Sequence, residues 1–298
     1  MNTRDFAKSI REGVNKRLGK EAIFVADENT ELLQVSDWVD MPDFFKTATG
    51  GKGIPCGHIT QVVGDSDTGK TTLVMIAMRE CQKQNGLVFL IDSEHKFSME
   101  RFASMGGDPT ALEIIPCESL EDAWNGLDAL FLQISEVAAK MKGELPKILL
   151  VWDSVAASVA DRILTADAED AHVAVEAKIN NIQVRKLRQQ IKRLNVAAMF
   201  INHTYMSMPK FGIAKEIIKG GAELYYMSTL IVKTKRKSWL KRTVKGIDQK
   251  FGIESILSVF KGHFHGRKND IEFFIVDKNV FTTKEELEEY KESIKGEL

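Results

Sequence analysis

Cysteine is scarce in this chain and long apolar runs are missing. The three cysteines, Cys56, Cys81 and Cys117, are scattered and match no metal-ligand spacing. They read as reduced, buried small hydrophobes, which argues against a disulfide framework. No run of about 18 apolar residues occurs, so no membrane-spanning helix is expected. The opening Met1-Asn2-Thr3-Arg4-Asp5-Phe6 lacks a signal-peptide stretch. A cytoplasmic protein is therefore expected. A net charge of -1 argues against a globally basic nucleic-acid binder and leaves only local patches. No internal repeat or low-complexity segment is evident.

What remains is ordinary globular composition over 298 residues, enough for one main domain with appendages. Apolar runs at residues 58–64, 87–92, 148–153, 196–202, 229–234, 256–260 and 271–276 alternate with helical patterns. The first four are nearly continuous, as in strands covered on both faces. Between them Val175, Ile179, Ile182, Leu187, Ile191 and Leu194 share one helical face. This alternation predicts a largely parallel sheet flanked by helices, with ligands beyond the carboxyl ends of its strands. The later strands read as an antiparallel extension. Phe6, Ile10, Val14 and Leu18 predict an amphipathic helix over residues 5–20, too short to be stable alone. The expected division is an assembly helix and linker over 1–50, a core over 51–283 and an acidic helical tail over 284–298. Gly50, Gly51 and Gly53 mark a flexible junction in this division, and the tail has no obvious partner.

Gly64-Asp65-Ser66-Asp67-Thr68-Gly69-Lys70-Thr71, followed by Thr72, matches the P-loop pattern between a predicted strand and a predicted helix. Its glycines let backbone N–H groups curl toward phosphate oxygens at the positive end of a helix dipole. Lys70 is placed to reach the β- and γ-phosphates and Thr71 to ligate magnesium. Asp65 and Asp67 suit a polyanion site only if their side chains turn outward. Asp153 ends a buried strand and is the expected acid of the metal site, with helix capping as the alternative. Glu94 projects at the same sheet edge. It could orient an attacking water or stand solvated in a loop, and spacing alone leaves both open.

The ordered set of the P-loop, Ile91-Asp92-Ser93-Glu94-His95, Trp152-Asp153-Ser154, Asn202-His203-Thr204, Gly220-Gly221 and Phe260-Lys261-Gly262 resembles the RecA-type strand-exchange recombinases, especially their phage-encoded members. The resemblance implies an α/β fold: a RecA-like P-loop ATPase core with a short N-terminal assembly helix. Only a short acidic helix is expected where the bacterial proteins carry a large C-terminal domain. It implies a DNA-dependent ATPase using ATP and Mg2+, forming helical filaments on single-stranded DNA and exchanging it with homologous duplex DNA. Single-strand-binding or loader proteins are candidate partners. Glu94 falls on the family's catalytic glutamate and Asp153 on its magnesium acid. Lys261 falls in the segment that reaches a neighbouring subunit's γ-phosphate. The family's second lysine there is His263 in this chain, with His265, Arg267 and Lys268 close behind, and the choice among them stays open. Arg101, followed by Phe102, stands where the bacterial proteins stack an aromatic ring on adenine. His203 stands where they usually carry a phosphate-sensing glutamine, so a coupling that titrates between roughly pH 6 and 8 is expected.

By position, the family's two DNA-facing loops fall at residues 161–172 and 205–219. The second offers Tyr205, Met206, Met208, Lys210, Phe211, Lys215 and Lys219, closed by Gly220 and Gly221. Cations can neutralise phosphates there and apolar side chains can wedge between bases. A loop of roughly fifteen residues without a strong pattern is more often functional than idle. The first loop is acidic, with Asp161, Asp167, Glu169 and Asp170 against Arg162. Lys233, Lys235, Arg236, Lys237, Lys241, Arg242 and Lys245 surround Trp239, either as a site for a second strand or as a solvated face. Two other functions remain open: a RecA-fold motor or helicase-like ATPase without homology search, and a nucleotide-switched structural assembly.

Overall fold

A computed structural model describes residues 2–20, 22–23, 25, 35–164, 175–207, 213–244, 247–263, 269–277 and 279–293. The chain divides into two units, Met1–Asp37 and Trp38–Leu298. In the first, the helix Thr3–Leu18 starts where the Asn2 side chain accepts a hydrogen bond from the Asp5 N–H at 2.9 Å. It stops at Gly19, which adopts the left-handed conformation. Asp5 in the first turn and Lys16 and Arg17 in the last complement the helix dipole. None of its residues is buried, and Phe6, Ile10 and Leu18 are exposed.

In the second unit, β1 (Trp38–Asp40) pairs antiparallel with β2 (Gly53–Pro55). The helix Asp43–Thr49 between them buries Phe44 and Phe45, with Phe44 stacked 5.8 Å from Phe273. Residues 38–50 therefore belong to the core unit, not to a linker. The expected flexible junction is a tight connection: Gly50 caps the helix and Gly53 opens β2.

The main sheet contains β3 (Ile59–Val63), β4 (Leu87–Asp92), β5 (Leu112–Ile114), β6 (Ile148–Asp153), β7 (Ala197–Asn202), β10 (Ser228–Val244), β11 (Ile247–Gly262), β12 (Ile271–Val276) and β13 (Asn279–Phe281). A separate small ribbon is made by β8 (Thr204–Met206) and β9 (Glu216–Ile218). The main order is β13-β12-β11-β10-β3-β7-β6-β4-β5. It is parallel from β10 to β5 and antiparallel from β10 outward to β13.

Period-two alternation splits the central strands between two hydrophobic layers. Val88, Leu90, Leu149, Val151, Met199 and Ile201 face the helix Lys70–Lys83, within one cluster. Leu150, Trp152, Ala198 and Phe200 pack instead with Leu127, Phe131, Val184 and Leu187 of the helices Leu120–Lys140 and Val175–Leu194. Trp152 bridges edge-on to Trp124 at 4.9 Å and to Phe200 at 5.8 Å, locking that layer. All three cysteines are buried and none forms a disulfide, and burial pushes the Cys81 thiol up to about 12, an unreactive thiol at neutral pH.

Two elements exceed what the apolar runs indicate. β10 and β11 form a hairpin whose arms have 17 and 16 residues, well beyond the expected 229–234 and 256–260. The acidic helix Lys284–Ser293, expected without a partner, buries Leu287 against Phe274 and Val276.

Candidate functional site

The order β3-β7-β6-β4 brings four strand ends side by side. They deliver the P-loop, Asn202-His203, Asp153-Ser154 and Asp92-Ser93-Glu94 to one edge. Gly64 leaves β3 at a φ of 149°, and a Cβ there would lie 2.3 Å from the Thr234 carbonyl oxygen, so only glycine fits. Thr68 anchors the loop: its hydroxyl donates to the Asp65 carbonyl at 2.9 Å and lies 2.8 Å from the Thr234 hydroxyl. Asp65, Ser66 and Asp67 are exposed, as a polyanion site needs of the two acids. Lys70 donates to the Asp65 carbonyl at 2.6 Å, curled over the loop. Burial pulls its pKa down, opposed by Asp153 and Glu94.

Thr71 donates to Asp153 Oδ2 at 2.9 Å, so a hydroxyl and a carboxylate already share one point. Burial pushes the Asp153 carboxyl up to about 6, with Glu94 and Asp92 adding to it against the Thr71 hydrogen bond. No group of three or more His, Cys, Asp or Glu able to hold a metal exists among the described residues. One hydroxyl and one carboxylate fit Mg2+, a hard cation that keeps several waters and takes phosphate oxygens.

Glu94 is held from three sides. Its Oε1 accepts from Ser154 at 2.8 Å and lies 3.5 Å from His203 Nε2, while its Oε2 accepts from Lys96 at 3.1 Å. Burial raises its pKa, but these hydrogen bonds outweigh it and the net shift is downward, so the group is ionised at neutral pH. For His203, burial and Lys70 lower the pKa against the opposing pull of Glu94. In the nucleotide-free chain the imidazole transition therefore lies below the usual histidine value.

The buried Asn202 ties this edge to the second candidate loop. Its Nδ2 donates to the Lys219 carbonyl at 2.7 Å and to Gln61 at 3.1 Å, and the Lys219 N–H donates to the His203 carbonyl at 2.9 Å. The loop is not patternless. Tyr205 and Met206 lie in β8, paired with β9, and both are exposed, as are Lys215 and Lys219. Met208, Lys210 and Phe211 lie outside the described residues. Gly221 turns at a φ of 100°, where a Cβ would come 2.6 Å from Asn181 Oδ1. Tyr205, Lys215, Lys219 and Gly220 share a groove of about 980 Å3 with Ile163, at the start of the first candidate loop, and Val175, just beyond it. Of that loop, Asp161–Leu164 is helical, while Asp167, Glu169 and Asp170 lie outside the described residues.

Part of the basic run is paired. Lys233 pairs with Glu216 at 2.6 Å, Lys237 pairs with Glu254 and Glu272, and Arg236 donates to the Asp67 carbonyl at 3.2 Å. Lys245 lies outside the described residues. Lys261 donates to the carbonyls of Tyr225 at 2.7 Å and Tyr226 at 3.0 Å, at the end of the helix Ala222–Met227, and not to its own P-loop. His263 is exposed, while His265, Arg267 and Lys268 lie outside the described residues. Arg101 donates to the Thr72 hydroxyl at 2.7 Å. The sequence reading missed that Ser154 bonds Glu94 and that Trp239 lines a cavity with the P-loop. Adjacent strand-end motifs could have flagged the first.

The chain matches the family described as RecA N-terminal domain over residues 5–276. It is 27% identical to protein RecA of Ureaplasma parvum serovar 3, over 80% of this chain and 68% of that protein. It is 26% identical to protein RecA of Campylobacter hominis, over 91% and 75%. Against protein RecA of Francisella tularensis subsp. novicida the identity is 27%, over 81% and 63%.

Proposed function

The chain belongs to the RecA N-terminal domain family, and on that premise we propose that it is a DNA-dependent ATPase that polymerises on single-stranded DNA and exchanges it with a homologous duplex. One observation carries the reading. The edge that holds Lys70, Glu94 and Asp153 also holds His203, and through Asn202 and His203 it grips Lys219 at the end of the candidate DNA loop.

In this mechanism Lys70 leaves the Asp65 carbonyl for the phosphates of ATP. Thr71 and Asp153 hold Mg2+, which supplies charge neutralisation at the phosphate oxygens. Glu94, ionised and fixed by Ser154, orients the attacking water. His203 senses whether the terminal phosphate is present and passes that state to the loop through the shared backbone. Tyr205, Met206, Lys215 and Lys219, with Met208, Lys210, Phe211, Gly220 and Gly221, form the strand-binding surface. The unburied stripe of Phe6, Ile10 and Leu18 packs on a neighbouring protomer, and Lys261 and His263 serve that neighbour's ATP. The Asn202-His203-Thr204 run supports a phage-type member of the family.

Strand exchange with matched and mismatched duplexes tests the reading. Product that forms only with the matched duplex and ATP is expected. ATP turnover indifferent to single-stranded DNA would overturn it.

A further inference from the structure

We propose that Trp239 is a specificity-determining residue of the nucleotide site, its indole forming a wall of the pocket that receives the nucleoside. The inference rests on the nucleotide reading above and adds to it a residue from the far hairpin.

The sequence places Trp239 inside a cationic run, where a nucleic-acid contact would be the natural assignment. The fold moves it elsewhere. Trp239 lies opposite Ile253 in the β10/β11 register, and the hairpin carries both to the P-loop. A cavity of about 340 Å3 begins at residues 67–72 and is walled farther out by Arg101, Trp239, Phe251, Ile275 and Asp277. Glu94, Asp153 and His203 are not among its walls. A nucleotide whose terminal phosphate faces Glu94 must send its nucleoside away from that edge, and this cavity is the space open to it.

The wall chemistry suits a base: flat, apolar faces with a polar rim. Trp239, Phe251, Ile253 and Ile275 supply the apolar surface. Arg101 supplies an unspent donor, because its Nε is buried without a hydrogen-bond partner while Nη2 is taken by Thr72. Such a donor costs free energy until a ligand acceptor meets it.

The indole is also held in place. The Arg236 guanidinium lies 4.3 Å from the ring centroid and donates to the Asp67 carbonyl, so it links Trp239 to the P-loop itself. Lys250 lies 4.3 Å from the same ring. Two cations on one ring, one of them tied to the loop, restrict the indole before any ligand arrives.

The test compares binding of Mg-ADP and of Mg-tripolyphosphate to the full chain by calorimetry, in wild type, Trp239→Ala and Trp239→Leu. Trp239→Leu retains apolar bulk and guards against loss of folding. Both variants are expected to bind ADP roughly 10- to 100-fold more weakly and tripolyphosphate within about twofold of wild type, the range for losing one base–aromatic contact. Unchanged ADP affinity in both variants would overturn the wall and leave the nucleotide reading standing. Equal weakening of both ligands would overturn it too, making Trp239 a brace for the P-loop. Wild-type protein that binds neither ligand would overturn both readings.

Discussion

The Ser154 hydroxyl donates a 2.8 Å hydrogen bond to Oε1 of Glu94 across the ends of neighbouring parallel strands. This bond fixes the carboxylate and favours its ionised form. Glu94→Gln is expected to retain Mg-ADP binding while phosphate release falls by roughly 10²- to 10⁴-fold, the usual weight of a general base. Ser154→Ala removes one donor to a charged acceptor, and a loss of about tenfold is expected. It should also move the acid limb of the pH–rate profile upward, because a carboxylate that loses a donor holds its proton to higher pH. An unmoved limb would assign Ser154 a packing role only.

Asp153 carries the opposite balance. Its carboxyl is pushed up to about 6, so the folded chain holds a proton there that the unfolded chain releases near 3.8. Above pH 6 the ionised group is therefore a cost to the metal-free fold, on the order of 3 kcal/mol. Asp153→Asn should raise the thermal midpoint at pH 7 in chelator without nucleotide, and the gain should shrink toward pH 4. The same variant should lose Mg2+-dependent turnover. A lower midpoint at pH 7 would refute this balance.

How far these relationships could be read in advance differs by residue, for physical reasons. The strands ending at Asp92, Asp153 and Asn202 are buried on both faces, so their apolar runs stop where the site begins. Glu94, Asp153 and His203 were therefore visible as strand-end residues. Their mutual contacts were not, because 60 residues separate Glu94 from Ser154 and only sheet order makes them neighbours. The outer β10/β11 hairpin is solvated on much of its surface, so polar residues fill both faces and no alternation marks its length. Charge counting alone also could not show which cations of that segment are paired. Register sets Ser238 opposite Glu254, beside Lys237, and pairs that one lysine of the cationic run across the strands.

His203 gives the third prediction its direction. A base whose pKa is lowered by burial and by Lys70 is neutral at pH 7 and gains its proton only on the acid side of the usual histidine value. Below about pH 6.5 the unfolded chain binds that proton more readily, so native stability from this group falls with acidification. The ATP-linked change in single-stranded DNA affinity should accordingly be flat from pH 7 to 8 and alter below about 6.5. Fluorescence anisotropy with ADP and with a non-hydrolysable ATP analogue measures it. His203→Gln should abolish the acid transition; a variant that keeps it would rule out His203 as the titrating group.

Lys261 makes two hydrogen bonds to carbonyls at the end of the helix Ala222–Met227, next to the ring of Tyr225 at 4.8 Å. Burial lowers its pKa, so a charge waits in a partly desolvated position for a stronger acceptor. A neighbour's phosphates would be such an acceptor, and the lysine would exchange helix carbonyls for them when subunits assemble. Lys261→Met should leave Mg-ADP binding by isolated subunits within about twofold and lower DNA-stimulated turnover by roughly 10²-fold or more, as for trans cations in phosphoryl transfer. Mixing provides the sharper measurement. Lys70→Ala subunits cannot use their own ATP but retain Lys261, whereas Lys261→Met subunits retain the P-loop. Combined, the two inactive proteins form junctions with both parts intact, and turnover should reappear in proportion to such junctions. If Lys261 acted within its own subunit, every mixture would stay as inactive as its components.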